Sequence, residues 1–141
     1  MSASATTAKT SASRLASLLL PPLVVMAVIF FLSAQQSDAH HGLLELLLRK
    51  LAHVTEYAVL TLVWWRALRG LGVSTENRAL IALAVAVALV YSASDEFHQT
   101  FVHGRHGTPV DVLIDSIGMT IAALVASRAG PPLRARRSPG A

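Results

Sequence analysis

The stretch LASLLLPPLVVMAVIFFLSA, residues Leu15–Ala34, runs for twenty residues without a charge. A helix of about 20 apolar residues crosses the hydrocarbon core of a bilayer. Pro21 and Pro22 near its start predict a kink rather than a break, because membrane helices tolerate proline. A cleaved signal peptide is the alternative, since Lys9 and Arg14 precede the stretch. The stretch is longer than the usual apolar core of about 7–15 residues, which favours a membrane span.

Three more apolar stretches follow, at Leu51–Leu68, Ala79–Ala93 and Pro109–Ser127. Together the four predict an all-α integral membrane bundle with four transmembrane helices. We expect Leu43–Lys50 to lie flat at the interface before the second span. Thr108 and Pro109 have the residue types typical of an N-cap and a first helical position.

This pattern divides the chain into a transmembrane domain, residues 15–127, between two polar ends. The composition of residues 1–14 predicts a disordered tail, and that of residues 128–141 predicts a basic tail. Charged residues make up only 14% of the chain, against roughly 25% in soluble domains. The hydrophobic share of 53% and the mean hydropathy of +0.53 exclude both an ordinary soluble domain and a disordered chain. The absence of cysteine excludes disulfides, thiolate metal sites and cysteine nucleophiles.

The basic residues predict the orientation in the membrane. With four spans, both termini and the loop between the second and third spans share one side, and nine of the twelve basic residues lie there. The positive-inside rule places that side, with both termini, in the cytoplasm of a cell with an inner (plasma) membrane. The pI near 10.4 then reflects topology and contact with membrane lipids. We expect no nucleic-acid partner. The nine are Lys9, Arg14, Arg66, Arg69, Arg78, Arg128, Arg134, Arg136 and Arg137.

Acidic and histidine residues collect on the opposite, outer side. An ionised carboxylate at membrane depth is costly unless it has a partner. Spans two, three and four meet at this face, so we expect a wet, charged pocket between them that opens to the outside. The residues concerned are Asp38, Glu45, Glu56, Asp95, Glu96, Asp111 and Asp115, with His40, His41, His53, His98, His103 and His106.

Three runs on this side resemble the VanZ-like membrane proteins. They are KxxHxxEY at Lys50–Tyr57, SDExHQxFxxGR at Ser94–Arg105 and DxxxDxxG at Asp111–Gly118. The resemblance covers residues 50–124, with Asp115 standing where the family often has Asn. It implies a small helical membrane protein. The family's namesake is associated with reduced susceptibility to teicoplanin, a glycopeptide that acts on cell-wall precursors outside the cell. The resemblance implies no particular reaction.

The first functional hypothesis is that the pocket binds an anionic, lipid-linked or cell-wall-related ligand and so affects susceptibility to such antibiotics. Lys50 and Arg105 would hold the anion, because a guanidinium suits phosphate and carboxylate groups. Arg105 has a structural alternative, a pin that ties its loop to Asp95 or Asp111. The candidate ligand-binding residues are Lys50, Tyr57, Asp95, Glu96, Gln99, Arg105 and Asp111.

The second hypothesis is an enzyme that acts on such a ligand. The residue types do not distinguish between binding and catalysis. Glu56 or Asp115 would be the general acid or base, assisted by His53. A proton-coupled transporter that uses the same carboxylates is the third, and it would need an oligomer. His53 with Glu56 would form a proton-transfer pair or half of a metal site, as Glu and His three residues apart do in di-metal helix bundles. The structural alternative is a hydrogen-bonded pair that fixes helix packing.

We predict no cofactor, although a divalent cation is an open alternative. Carboxylates are the hard donors that Mg²⁺ and Ca²⁺ prefer, but the same groups would also form a salt-bridge cluster with Lys50 and Arg105. Thr108 with Asp111 matches a capping pattern that gives Asp111 a structural role. Three histidines lack a standard zinc spacing and predict a solvated loop. The carboxylates are Asp95, Glu96, Asp111 and Asp115, and the histidines are His98, His103 and His106.

Overall fold

The computed structural model describes residues 2–36 and 42–129, with side chains described from residue 11 onward. It contains four helices: α1 (Ser2–Ser33), α2 (Leu43–Leu71), α3 (Asn77–Gln99) and α4 (Pro109–Arg128). The described residues contain no strand, which confirms the all-α prediction. Asp38, His40, His41 and the basic tail from residue 130 onward lie outside the described residues.

Three helices are long and apolar enough to cross a membrane: Ser11–Ser33 within α1, together with α3 and α4. This confirms the prediction of a membrane protein. α2 is not among them, since polar residues such as His53, Glu56 and Arg66 interrupt its apolar sequence. It packs against α1, α3 and α4, so the protein itself shelters much of its polar face from lipid. That α2 also crosses the membrane stays a prediction.

Two helices differ from their predicted extents. α1 begins at Ser2, although the sequence predicts a disordered tail before Leu15. Alanine is frequent in this segment and favours helix, and extending an existing helix is easier than nucleating one. α2 runs without interruption from Leu43, so Leu43–Lys50 is the first part of this helix rather than a separate interfacial segment. No Gly or Pro lies between residues 43 and 69 to end the helix.

Close packing of α2 on α4 depends on Gly118. A Cβ atom at this position would lie 2.0 Å from the carbonyl oxygen of Val54, so a side chain here would force the helices apart. Ala122 and Ala126 continue the same face and are 0% and 2% exposed. They form the small-residue stripe that lets membrane helices approach closely. Asp115, one turn before Gly118, is thereby brought near His53 of α2.

The antiparallel arrangement gives the bundle two different ends. At one end, the Trp65 indole donates to Asn77 Oδ1 (2.9 Å), and Asn77 Nδ2 donates to the Ala126 carbonyl (3.1 Å). These bonds join α2, α3 and α4. We define the arginine end by Arg14, Arg66, Arg69, Arg78 and Arg128, and the carboxylate end by Asp95, Glu96, Asp111 and Asp115.

Candidate functional site

The loop between α3 and α4 positions Glu96 at the carboxylate end. Thr108 caps α4, because its hydroxyl accepts from the backbone N–H of Asp111 (3.3 Å), and Pro109 follows as the first helical residue. The Thr108 N–H donates to Glu96 Oε2 at 3.2 Å. At Gly107 a Cβ would lie 1.8 Å from the Glu96 carbonyl oxygen. The loop therefore lies directly on the end of α3 and holds the Glu96 side chain against the start of α4.

Three buried side-chain atoms of types that could bind a metal, from three helices, converge beside this loop. His53 Nδ1 lies 3.3 Å from Asp115 Oδ1 and 3.9 Å from Glu96 Oε1. All three atoms lie within 4.8 Å of one another. Asp115 is 0% exposed and Glu96 is 4% exposed. Neither His53 Nδ1 nor Asp115 Oδ1 has a hydrogen-bond partner of suitable geometry. We refer to these residues as the His53 cluster.

Ser92 orients Asp115, a role that the sequence did not reveal. Its hydroxyl donates to Asp115 Oδ2 at 2.7 Å, which leaves Oδ1 facing His53. Ser92 follows Ala84 and Ala88 at four-residue intervals on the buried face of α3. A hydroxyl at the end of an alanine stripe is the one signal that could have pointed to it.

Asp95 has a different environment from Glu96, although the two are adjacent in sequence. Its Oδ2 accepts from Ser33 Oγ (2.7 Å) and from Gln99 Nε2 (3.1 Å), whereas its Oδ1 has no partner. Gln99 Nε2 also donates to Glu96 Oε1 at 3.3 Å. Asp95 thus connects α3 to the end of α1, and Gln99 links it to the His53 cluster.

Lys50 and Asp111 form an ion pair at the mouth of the site. The Lys50 side chain is 35% exposed and that of Asp111 is 13% exposed. The Thr108 hydroxyl also donates to Asp111 Oδ2 (2.8 Å). Asp111 therefore has a cationic partner, and the salt-bridge alternative describes this part of the site. The capping pattern is not completed by Asp111, because the Thr108 N–H donates to Glu96 instead.

Arg105 ties its loop to the end of α1. Its Nη2 donates to the Leu32 carbonyl (2.9 Å) and its Nε to the Gln35 carbonyl (3.1 Å). Burial lowers the pKa of Arg105 from its ordinary value, and the neighbouring charge of Arg49 lowers it further. Arg105 thus has the structural role that the sequence analysis gave as an alternative. It binds backbone carbonyls, however, rather than Asp95 or Asp111.

Glu56 and Tyr57 lie near His53 but are not members of the His53 cluster. His53 Nδ1 faces Asp115 and Glu96 on neighbouring helices rather than Glu56 on its own helix. Glu56 is half-buried and, with His53 and Arg105, lines a second cavity of about 290 Å³. Tyr57 is 0% exposed, and its ring centroid lies 6.3 Å from that of His53. Its hydroxyl has no partner.

The histidines near the loop do not converge. His98 lies within α3 and stacks on Phe30, with ring centroids 4.8 Å apart. His103 and His106 are exposed, as expected of a solvated loop.

A cavity of about 180 Å³ connects these groups, and we call it the polar cavity after the charged side chains around it. Its walls come from α2, α3, the following loop and α4, the location that the sequence predicted for a charged pocket. The His53 cluster lines it together with basic residues from two separate stretches. The predicted residues in its lining are Lys50, His53, Glu96, Gln99, Arg105, His106, Asp111 and Asp115, and the basic residue that the sequence did not single out is Arg49.

Comparison with known proteins gave one match. The model of the VanZ/LLP1 family matches residues 2–130, a stretch that contains all four helices and the His53 cluster. Searches of curated proteins and of solved structures returned no match.

Proposed function

Because this chain belongs to the VanZ/LLP1 family, we propose that it is a cell-envelope membrane protein that binds an anionic group of a lipid-linked, cell-wall-related ligand. Binding takes place in the polar cavity and alters susceptibility to glycopeptide antibiotics of the teicoplanin type. The basic residues at the arginine end support a cytoplasmic location for that end and for both termini in the plasma membrane. The polar cavity then opens at the outer leaflet, where lipid-linked cell-wall precursors are exposed.

The observation that carries this proposal is the set of basic side chains in one small cavity. Arg49 and Lys50 of α2 line it beside Arg105, whose guanidinium donates to backbone carbonyls at the end of α1. An anionic group that enters would compete with Asp111 for the Lys50 ammonium. Charge-assisted hydrogen bonds to phosphate or carboxylate are stronger than neutral ones.

The volume of the cavity limits what it encloses. At about 180 Å³ it is smaller than the roughly 300–1,000 Å³ of sites that enclose drug-sized ligands. A phosphate or carboxylate group fits, whereas a glycopeptide does not. We therefore propose that the ligand's headgroup enters the cavity and its lipid chain stays in the membrane beside the bundle. The protein acts on the target of the antibiotic rather than on the antibiotic.

One contact favours catalysis as the second candidate function. His53 Nδ1 and Asp115 Oδ1 lie 3.3 Å apart at the base of the cavity, within reach of a group bound there. An imidazole beside a carboxylate is a common arrangement for proton transfer. Incubation of the purified protein with its co-purified lipid separates the two functions: an enzyme changes the mass of the lipid and a binding protein does not.

Replacement of Lys50 tests the binding proposal. We expect Lys50→Ala to abolish the increase in teicoplanin resistance that the wild-type chain gives to a susceptible host, because the cavity loses a cation. The same variant, purified in nanodiscs, should retain less anionic lipid in native mass spectrometry.

The control is Arg78→Ala, which removes an exposed basic residue at the arginine end and should change neither result. Both variants must reach the membrane in wild-type amounts. Full resistance and full lipid retention in Lys50→Ala would contradict the proposal.

A further inference from the structure

We infer that the His53 cluster is a binding site for one divalent first-row metal cation of the Mn²⁺ or Zn²⁺ type. The ligands are His53 Nδ1, Glu96 Oε1 and Asp115 Oδ1, supplied by α2, α3 and α4. The role of the cation in holding an anionic ligand rests on the proposed function, whereas metal binding itself does not.

The distances suit a metal. Nitrogen and oxygen ligands each lie about 2.0–2.2 Å from a zinc ion, so two ligands of one ion are separated by at most about 4.4 Å. The separations from His53 Nδ1 are 3.3 Å to Asp115 Oδ1 and 3.9 Å to Glu96 Oε1. The third pair lies within 4.8 Å, and a small rotation of either carboxylate completes the set.

Unpartnered buried atoms are the second, independent observation. Asp115 is 0% exposed, yet only its Oδ2 accepts a hydrogen bond, from Ser92. Its Oδ1 faces His53 Nδ1 at 3.3 Å, and neither atom makes a hydrogen bond of suitable geometry. A buried polar atom without a hydrogen bond costs about 1–3 kcal/mol, and more when it is charged. A cation between these atoms removes that cost for both.

The donor types select the class of cation. Mg²⁺ and Ca²⁺ prefer oxygen ligands, whereas an imidazole nitrogen combined with carboxylates suits Mn²⁺, Fe²⁺ or Zn²⁺. Two carboxylates also balance the double positive charge, which favours their burial. Three protein ligands leave an open position, as in catalytic zinc sites. The His53 cluster lines the polar cavity, so that position is available to an oxygen of a phosphate or carboxylate group.

The neighbouring carboxylates lie outside this set. Asp111 pairs with Lys50, and Asp95 Oδ2 accepts from Ser33 and Gln99. Of the four carboxylates that the sequence suggested for a cation, Glu96 and Asp115 are the two that converge with His53.

Titration with Mn²⁺ tests the inference. The full chain would be purified in nanodiscs of phosphatidylcholine, which has no net charge, and treated with a chelator. Free Mn²⁺ would then be followed by electron paramagnetic resonance. We expect one Mn²⁺ per chain, displaced by Zn²⁺, and an affinity lowered by about tenfold or more in Asp115→Asn, since even outer residues of metal sites contribute about 10–100-fold.

The control is Glu76→Gln, which removes the charge of an exposed carboxylate at the N-cap of α3 and should retain the Mn²⁺ affinity. His53→Gln is a second ligand variant in case Asp115→Asn does not fold, and circular dichroism checks the helix content of each. A wild-type chain that binds no Mn²⁺, or ligand variants that are folded and bind it normally, would overturn the inference and leave a His53–Asp115 ion pair. Mn²⁺ binding together with normal resistance in Lys50→Ala would instead reject only the proposed function.

Discussion

The two ends of the bundle use polar side chains in different ways. At the arginine end, Arg14 Nη2 donates to the Gly70 carbonyl (3.1 Å) and Arg66 Nη1 donates to the Ser17 carbonyl (3.3 Å). At the carboxylate end and just inside it, buried polar atoms are left without partners. These atoms are His53 Nδ1, Tyr57 OH, Asp95 Oδ1, His98 Nε2 and Asp115 Oδ1, and the sixth such atom among the described residues is Trp64 Nε1.

This difference distinguishes polar side chains that bond to the protein itself from polar side chains that are left for a ligand. Native proteins satisfy most buried polar groups, and unpaired ones are especially costly in a bundle surrounded by lipid. The bonds at the arginine end fasten neighbouring elements together. Two of the unpaired atoms, His53 Nδ1 and Asp115 Oδ1, belong to residues that line the polar cavity, where a ligand would complete the set. Intramembrane ionisable groups in general mark functional sites.

The largest expected effect comes from separating α2 and α4. In Gly118→Ala the new Cβ meets the Val54 carbonyl at 2.0 Å, which is backbone and cannot rotate away. Overpacking of this kind costs roughly 1–3 kcal/mol or more. We expect a clear fall in the melting temperature in detergent and loss of Mn²⁺ binding, because Asp115 lies one turn away. Gly42→Ala is the control, since nothing lies within 4 Å of a Cβ there. Equal stability of the two variants would mean that α2 and α4 are not in close contact at Gly118.

A smaller effect is expected from the hydroxyl that orients Asp115. In Ser92→Ala, Oδ2 of Asp115 loses its 2.7 Å hydrogen bond, and neither carboxylate oxygen then accepts a hydrogen bond. The cost should be about 1–3 kcal/mol, measured by thermal unfolding without metal, and Mn²⁺ should restore part of it. Ser94→Ala is the matched control, because Ser94 is exposed and bonds only within its own helix. If Mn²⁺ stabilises both variants equally, Ser92 does not orient the His53 cluster.

Much of this architecture could be predicted from patterns in the sequence. Apolar length predicted the membrane helices, and Thr108 with Pro109 marked the start of α4. The clustering of acidic and histidine residues predicted a pocket at one face, where the polar cavity lies. These predictions succeeded because bilayer thickness and helix capping depend on local sequence.

The partners within the site depend on contacts between helices and were harder to predict. His53 and Glu56, three residues apart, suggested a pair within one helix, whereas His53 Nδ1 faces α3 and α4. Ser33 and Ser92 resemble ordinary small residues of an apolar helix until Asp95 and Asp115 face them. The register that brings such residues together is set by packing distances, which a single sequence does not state.

Arg105 is the sharpest test of the comparison, although its expected effect is the smallest. It lies at the carboxylate end, yet it binds the Leu32 and Gln35 carbonyls at the end of α1, as Arg14 binds Gly70 at the end of α2. A cation at a helix C-terminus contributes typically about 0.3–1 kcal/mol. In Arg105→Ala and Arg14→Ala we therefore expect faster hydrogen exchange only in the last turn of the affected helix, α1 for Arg105 and α2 for Arg14. Loss of anionic lipid retention in Arg105→Ala, with unchanged exchange in α1, would show that Arg105 binds the ligand. The end of the bundle at which an arginine lies would then predict its function better than its hydrogen-bond partners do.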